Sequence, residues 1–405
     1  RLGALERGAA RGVEGVLHAA RDDAQVPVLH EAVRVEPEAH LEDVGAGSLG
    51  AVEPVAIVDV AVPGGGDRDR KGTAAPPPTG SPSVEVTLGI WQDWRSYRRL
   101  QKLPPADRRI IFYSESHQDW HHLQPLIDFL VERLSRTVCH VTSERTAALL
   151  PGSRPGLHAF RIGSGAVLTW FFQMLETDVL VLTMLDLQNF HLKRSRHPVH
   201  YLYVFHSMGS THLVDHENSY DHYDSLFCVG PHHVTEIRRR EELKGLPPKH
   251  LFPHGYTRLE RLVEAAAGSR PPSPPTTVLL APTWGEHSIL HVCGEPLIDG
   301  LLSAGLRVIL RPHYQTTRLA PHVIQRLTAR FGGDPGFRHV DRMGEMDSLL
   351  ESDVLICDWS AMAIEYALGL GKPVLFVDVP PRVRNPNYAE LGLEPMEMRI
   401  RRELG

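Results

Sequence analysis

The chain has 405 residues, enough for two or three domains of ordinary size, and its formal net charge is −6. The first 85 residues hold 8 Lys and Arg against 14 Asp and Glu, so the remainder of the chain is formally neutral. General nucleic-acid binding needs a basic footprint, so this charge balance argues against a nucleic-acid partner.

The N-terminal part of the chain has an unusual composition. Residues 1–90 contain no Phe, Tyr, Trp or Cys, and they run into a stretch rich in Pro, Gly and Ser at 62–83. A segment without aromatic anchors cannot bury enough apolar surface to offset the entropy of ordering its backbone. We therefore predict that residues 1–105 are a low-complexity N-terminal extension, disordered or non-native.

Residues 91–100 (WQDWRSYRRL) place Trp and Arg at helical spacing. Such a helix either lies on a membrane surface or packs on the first domain, and the pattern favours neither. No apolar run approaches the roughly 20 residues of a membrane-spanning helix. The four Cys are widely spaced, which is typical of buried thiols in a reducing compartment. We expect a cytoplasmic protein associated peripherally with the inner face of the membrane.

The first half alternates apolar segments with helical patterns, which indicates a parallel sheet covered by helices. The helix that we can place lies at 122–134. The predicted strands are 109–113, 137–142, 178–183, 200–205 and 225–230. We predict a Rossmann-like domain at 106–265 that binds the acceptor substrate.

A Pro-rich linker at 265–277 precedes a second alternation. Its predicted strands are 277–281, 307–310, 353–357 and 373–377, and its predicted helices are 294–304, 320–331, 343–351 and 360–370. We predict a donor-binding Rossmann-like domain at 276–405, truncated at its C-terminal end. The expected fold is α/β, with two Rossmann-like domains and a deep cleft between them, the plan called GT-B.

The most informative segment is LLESDVLICDWSAMAIEYALGLGKPVLFVD, residues 349–378. A buried strand ends at Asp358, and a turn places Ser360 and Ala361 at the start of a helix. Free backbone N–H groups and the helix dipole make such a terminus suitable for a phosphate, and Ser360 suits the N-cap. Glu365 is placed to reach ribose hydroxyls. An ordinary capped strand–helix unit without a ligand would show the same pattern.

Two further strands end in polar side chains. RVILRPHYQTT delivers Arg311 and His313 to the C-terminal edge of the sheet, where ligands bind in such folds. His313, as imidazolium or neutral imidazole, can donate to a diphosphate. In LLAPTWGEHS, Thr283 can donate a hydrogen bond, whereas Trp284 is expected only to pack.

In the first half, His206 directly follows a predicted buried strand and is our candidate general base. The turn after it holds Ser207, Gly209 and Ser210, and we expect it to be flexible and to let an acceptor approach. The His-rich segment 219–233 lacks the paired-ligand spacing of a zinc site, so we predict no metal and no other cofactor.

With these segments in order, residues 109–405 resemble the CDP-glycerol glycerophosphotransferase family of teichoic-acid and capsule synthesis. The matching segments are VFHSMGS, CVGPHHVTEI, HGYTRLE, APTW, RPH and SDVLICDWSAMAIEYALGLGKPVLF. The chain departs from the family at Trp359 and Ala361, where Tyr and a second Ser are usual. It also has Ser207 instead of Gly, and Thr257 and Glu260 around Arg258 instead of Pro and Asp.

The resemblance implies a GT-B fold, a CDP-alcohol donor, a glycan or lipid-linked acceptor at the membrane, and no catalytic metal. It also places Arg258 on the acceptor side. A UDP-N-acetylglucosamine 2-epimerase-like enzyme is an alternative that would need first-half carboxylates, for which Glu115, Asp119 and Asp186 are the candidates. A catalytically silent nucleotide-binding protein of capsule assembly is the other alternative.

Overall fold

The computed structural model describes residues 83–144, 152–163, 165–188, 192–267, 276–340 and 346–404. The predicted N-terminal extension therefore lies outside the described residues up to position 82, and its last part is a helix. That helix, α1, runs from Ser83 to Gln101. It packs on the first domain through the buried side chains of Asp93, Tyr97 and Leu100, which recur at helical spacing.

The first half of the chain forms a sheet of seven parallel strands in the order β3-β2-β1-β4-β5-β6-β7. The strands are β1 (Ile110–Ser114), β2 (Val138–Thr142), β3 (Leu157–Arg161), β4 (Val179–Leu182), β5 (His200–Val204), β6 (Ser225–Cys228) and β7 (His250–Pro253). Central strands are apolar on both faces because helices cover both sides of the sheet. Along β1, Ile110 and Phe112 enter one buried cluster, and Ile111 and Tyr113 enter the other.

The second half forms a five-stranded parallel sheet in the order β10-β9-β8-β11-β12. Its strands are β8 (Thr277–Leu280), β9 (Arg307–Leu310), β10 (Phe337–His339), β11 (Val354–Cys357) and β12 (Val374–Phe376). In each sheet the first strand along the chain is an internal strand, and the order of the strands reverses there, as in Rossmann-like folds. The predicted α/β architecture of two Rossmann-like halves is confirmed.

The helices of the described residues lie between the strands and at the C-terminal end. After α1 they are α2 (His117–Asp128), α3 (Ala166–Gln173), α4 (Pro231–Lys244), α5 (Thr257–Ala265), α6 (Ile289–Val292), α7 (Gly294–Ser303), α8 (Tyr314–Leu319), α9 (Pro321–Phe331), α10 (Asp347–Glu351), α11 (Met362–Leu370) and α12 (Met396–Leu404). None of these helices is long and apolar enough to span a bilayer. The helix predicted at 122–134 begins earlier, at His117, where Asp119 accepts a hydrogen bond from the backbone N–H of Ser116.

Two segments connect the halves beyond the linker. Helix α5 follows the first sheet in sequence, yet its Leu262 is buried with Tyr366 and Leu279 of the second half. The C-terminal segment, residues 385–404, leaves the second sheet and packs also on the first half. There the side-chain amide of Asn385 donates to the backbone carbonyl of His212 at 3.0 Å. The two halves therefore contact each other through both segments, while the domain boundaries 106–265 and 276–405 stay predictions.

Candidate functional site

A cleft of about 850 Å³ lies between the two halves. Its lining comes from the C-terminal ends of strands in both sheets, where polar side chains follow buried apolar ones. The predicted residues that line it are His206, Ser207, Gly209, Ser210, Arg258, Thr283, Arg311, His313, Ser360, Ala361 and Glu365. The structure therefore brings these together from sequence positions up to 159 residues apart.

Asp358 is the predicted site residue that does not line the cleft. Its side chain is fully buried and accepts hydrogen bonds from the backbone N–H groups of Thr283 at 2.7 Å and Ile289 at 3.1 Å. Burial raises the pKa of this carboxyl, while the two backbone donors oppose that effect. Asp358 therefore holds the loop that carries Thr283, and its position offers no direct contact with a ligand in the cleft.

The helix N-terminus after β11 opens into the cleft. Helix α11 begins at Met362 with Ala361 as its N-cap residue, one position later than the sequence suggested for Ser360. The Ser360 hydroxyl still accepts a hydrogen bond from the backbone N–H of Met362 at 3.3 Å. The first backbone N–H groups of a helix and its dipole attract anions, and a nine-residue helix presents both here.

Glu365 is already bound by two side chains of the first half. The Tyr256 hydroxyl donates to its Oε1 at 2.9 Å, and the Arg258 guanidinium donates to its Oε2 at 2.8 Å. The Arg258–Glu365 ion pair is largely buried, with side-chain exposures of 13% and 7%. Arg258 and Glu365 therefore join α5 to α11. Both also line the cleft, where a ligand could contact them.

His313 lines the cleft as a neutral hydrogen-bond donor. Burial lowers its pKa to about 4, and the nearby charges of Arg382 and His206 act in the same direction. Its Nδ1 accepts a hydrogen bond from the backbone N–H of Gln315 at 3.1 Å, so the proton of the neutral ring is on Nε2. Arg311 lies beside it, 2% exposed, and donates to the Ser348 hydroxyl at 2.8 Å.

Arg382 and Trp284 form a wall of the cleft that the sequence did not indicate. The Arg382 guanidinium lies 3.5 Å from the centroid of the Trp284 ring, and that ring lies 6.2 Å from the ring of His313. Burial and the neighbouring Arg384 lower the pKa of Arg382 to about 10. A guanidinium stacked on an indole keeps its N–H edge available for bidentate binding of a phosphate.

His206 is exposed to the cleft at the end of β5. Its Nδ1 lies 3.2 Å from the Tyr203 hydroxyl, and its ring lies 6.0 Å from the ring of His122 on α2. The Tyr256 hydroxyl, whose proton is shared with Glu365, also lies 3.1 Å from the backbone carbonyl oxygen of His206. Both the ring and the backbone of this histidine are thus held, and Nε2 is the nitrogen left for a substrate.

The turn after His206 is held by buried side chains, in contrast to the flexible turn that we expected. Glu236 accepts hydrogen bonds from the Ser210 hydroxyl at 2.8 Å and from the Thr211 backbone N–H at 2.7 Å. His233 Nε2 lies 2.8 Å from the carbonyl oxygen of Gly209. The histidines of 219–233 therefore include one that supports this turn. Among the described residues, no group of three or more His, Cys, Asp and Glu is arranged around a metal position.

Glu397 on α12 completes the support of the turn from the second half. Its carboxylate accepts the backbone N–H of Ser210 at 3.1 Å and 3.3 Å. A Cβ atom built at Gly209 would lie 2.3 Å from Glu397 Oε1, so only glycine permits this approach. Burial raises the pKa of Glu397 to about 7. No sequence pattern indicated this residue, because it follows the last predicted strand by 20 positions.

The carboxylates that the epimerase alternative needs do not form one set. Glu115 and Asp119 line the cleft, and Asp119 also accepts from the Thr183 hydroxyl at 3.1 Å. Asp186 is not part of the lining and accepts from the Ser219 hydroxyl at 2.7 Å. Its backbone has a φ of 65°, a left-handed conformation suited to a turn.

No family model matches the chain, and no curated protein matches it significantly. Among solved structures, the wall teichoic acid polymerase TagF is 15% identical, with a TM-score of 0.44, over 72% of this chain and 76% of that one. A UDP-GlcNAc 2-epimerase of Methanocaldococcus jannaschii is 13% identical, with a TM-score of 0.45, over 66% and 82%. A putative UDP-N-acetylglucosamine 2-epimerase of Listeria monocytogenes is 14% identical, with a TM-score of 0.46, over 67% and 80%. Similarity at this level does not assign an activity.

Proposed function

We propose that this chain transfers a glycerophosphate or related polyol-phosphate group from a CDP-alcohol to a hydroxyl of a glycan or lipid-linked acceptor. The observation that carries the proposal is the arrangement of His206 in the cleft. The histidine lies on the first-half side of the cleft with Nε2 available. Hydroxyl, imidazole and guanidinium groups that can donate to a phosphate line the second-half side. A positioned base and a phosphate site in one cleft are the two components that such a transfer requires.

The donor would occupy the second-half wall. Ser360 and the N-terminus of α11 provide hydroxyl and backbone donors, His313 provides a neutral N–H, and Arg382 provides a positive charge. A diphosphate carries two negative charges and many acceptor oxygens, so it matches a mixed set of this kind. Thr283 stands on the loop held by Asp358 and would add another donor.

In the reaction, the acceptor hydroxyl oxygen forms a bond to the β-phosphorus of the CDP-alcohol. The bond between this phosphorus and the bridging oxygen breaks, and the nucleotide leaves as CMP. His206 Nε2 takes the proton of the attacking hydroxyl, so a histidine rather than a metal-bound group would be the base. The charge that appears on CMP would be stabilised by Arg382 and by the N-terminus of α11.

The acceptor would enter along the first-half wall. This wall carries hydroxyl, imidazole and carboxylate groups, which suit a polyhydroxylated molecule; they include Tyr113, Glu115, Asp119, His122 and Ser143. Ser207 belongs to the same wall, whereas Gly209 and Ser210 would act by holding the turn.

Contact with a membrane would use α1. Its buried residues Tyr97 and Leu100 face the domain, and Trp91 on the other side is 67% exposed and Ile90 49% exposed. Trp170 on α3, 46% exposed, lies on the helix that packs against α1. The arginines of 95–99 are exposed as well. Indole rings beside basic side chains favour the interface of anionic lipids, which supports peripheral association at a cytoplasmic membrane face.

The proposal is tested by ligand binding and by turnover. A binder of the native state raises the melting temperature, so CDP-glycerol and CDP-ribitol are compared with UDP-N-acetylglucosamine and free nucleotides. We expect stabilisation by a CDP-alcohol and release of CMP when an acceptor is added. Stabilisation by UDP-N-acetylglucosamine alone would favour the epimerase, and binding of CDP-glycerol without CMP release would favour the silent protein.

The role of His206 is tested by substitution with alanine. A positioned general base contributes about 10²–10⁴ in rate, so His206→Ala should lower turnover at least a hundredfold while CDP-glycerol affinity stays within about twofold. His216→Ala is the matched control, because His216 is half-buried and does not line the cleft. Near-normal turnover of a folded His206→Ala protein would reject the assignment.

A further inference from the structure

The turn that follows His206 is attached to the second half of the chain through helix α12. Glu397 in the first turn of α12 accepts the backbone N–H of Ser210, and the backbone N–H of the first residue of α12 donates to the Ser210 hydroxyl at 2.6 Å. Met208, in the same turn, is buried in an apolar cluster formed mainly by the second half, which also contains Ile400 of α12. The main chain beside His206 therefore depends on the position of α12.

The other end of α12 holds the loop that leads to Ser360. Arg401 Nη1 donates to the backbone carbonyl of Asp358 at 3.1 Å, and the guanidinium lies 4.5 Å from the centroid of the Trp359 ring. Arg401 also forms an ion pair with Asp378, which follows strand β12. A planar guanidinium can stack on an indole and donate along its edge at the same time. Arg401 therefore fixes both the backbone and the side chains of this loop against α12.

Glu397 and Arg401 are four residues apart, so they lie on the same face of α12. We propose that they are positioning residues, which together set the distance and orientation of His206 relative to the phosphate site at Ser360. This inference rests on the proposed function, in which these two groups act on the same donor molecule. Loss of the contact at either end of α12 frees the helix from one side of the cleft, and the remaining contact then no longer fixes the spacing.

The spacing of the two sides matters because the acceptor oxygen must reach the phosphorus while its proton faces His206 Nε2. A displacement of about 1 Å from the reactive geometry can lower the rate about a hundredfold. Of the two positioning residues, only Glu397 lines the cleft, and Arg401 acts entirely through the loop that it holds. The expected kinetic signature is a fall in kcat with little change in the KM for CDP-glycerol.

Hydrogen exchange of the full chain, measured by mass spectrometry, tests this connection without a substrate. Arg401→Met keeps a long side chain but removes its charge and its hydrogen bonds to the second half. We expect exchange in peptides covering 206–211, on the first half, to become about threefold to tenfold faster, the range for one hydrogen bond, with no change in the central strands. Arg401→Lys keeps a charge beside Asp378 but lacks the planar group, so it should act in the same direction, and it replaces Arg401→Met if that variant does not fold. Arg402→Met is the matched control, because the Arg402 side chain is exposed on the same turn of α12.

Turnover provides the second measurement. Glu397→Ala and Arg401→Met should each lower kcat about tenfold to a hundredfold, with the KM for CDP-glycerol within about threefold of the parent value. Because both contacts belong to one connection, the double variant should lose little more than the more damaged single variant. Glu397→Gln should keep most of the parent kcat, since its amide oxygen still accepts from the Ser210 backbone.

The two measurements separate failure of the connection from failure of the proposed reaction. Unchanged exchange at 206–211 in both Arg401 variants, the same increase in Arg402→Met, or losses of kcat that multiply in the double variant would overturn the inference. If the parent protein transfers nothing from CDP-glycerol, the proposed function is rejected. Hydrogen exchange at 206–211 then still decides whether α12 connects the two sides of the cleft.

Discussion

Replacing Gly209 with alanine tests how the cleft is built, because it sets a methyl group against a buried carboxylate. The new Cβ would lie 2.3 Å from Glu397 Oε1 and 3.3 Å from its Cδ. The contact can be relieved only if Glu397 moves away. It would then lose its hydrogen bonds to the backbone N–H of Ser210.

The size of the effect follows from these contacts. Loss of a hydrogen bond to a charged group costs about 1.5–3 kcal/mol, and accommodating an extra methyl group in a packed site costs about 1–3 kcal/mol. The two costs overlap, since movement of Glu397 relieves the clash, so we expect a destabilisation of about 2–4 kcal/mol. Turnover should fall too, because the turn follows His206 directly.

Thermal or urea denaturation of Gly209→Ala measures this loss of stability. The control is Gly300→Ala, in helix α7, where a Cβ meets nothing within 4 Å and alanine should be neutral or stabilising. Glu397→Ala should reduce the cost of the Gly209 change, because the clashing carboxylate is gone, and a double-mutant cycle gives the coupling energy. Equal stability of the two glycine variants, or a cycle without coupling, would refute this account of the turn.

Other changes have expected outcomes of their own. Ser360→Ala and His313→Ala should each weaken CDP-glycerol binding about tenfold to a hundredfold by calorimetry, and unchanged affinity in both would place the diphosphate elsewhere. The pKa of Glu397, raised to about 7, lies above the ordinary carboxyl value. Stability from this group is therefore present below about pH 4.5 and is lost as pH rises towards 7. Glu397→Gln should flatten that part of a stability–pH profile, and a slope equal to the parent's would assign it to other groups. Trp91→Glu should reduce flotation with anionic vesicles, whereas Leu319→Glu, exposed on the other half, should not; equal flotation of both would reject α1 as the contact.

The central strands were predictable because they are buried on both faces and therefore read as continuous apolar runs. Three edge strands were not predicted: β3, β7 and β10. Each has partly exposed residues, and β7 (HLFP) has none that is fully buried. An edge strand needs apolar residues only where it meets the core, so its sequence resembles that of a loop.

The position of a residue in the cleft was predictable where that residue follows a strand, as His206 and His313 do. It was not predictable where a side chain depends on a partner distant in sequence. Asp358 has the local pattern of a ligand-binding residue, but its carboxylate accepts hydrogen bonds from two backbone N–H groups of another loop. Arg382 and Glu397 belong to a C-terminal segment whose path over the first half is set by tertiary contacts. Local patterns carry no information about such contacts.

The return of the C-terminal segment to the first half has a consequence for biosynthesis. The seven strands of the first sheet end at Pro253, so a ribosome has made this sheet long before it reaches residues 385–404. Domains generally fold in the order of synthesis. The turn beside His206, however, receives Glu397 only when nearly the whole described chain has emerged. The nascent protein thus folds its first sheet early and acquires the finished cleft last, so chains released before Glu397 would lack the turn's second support.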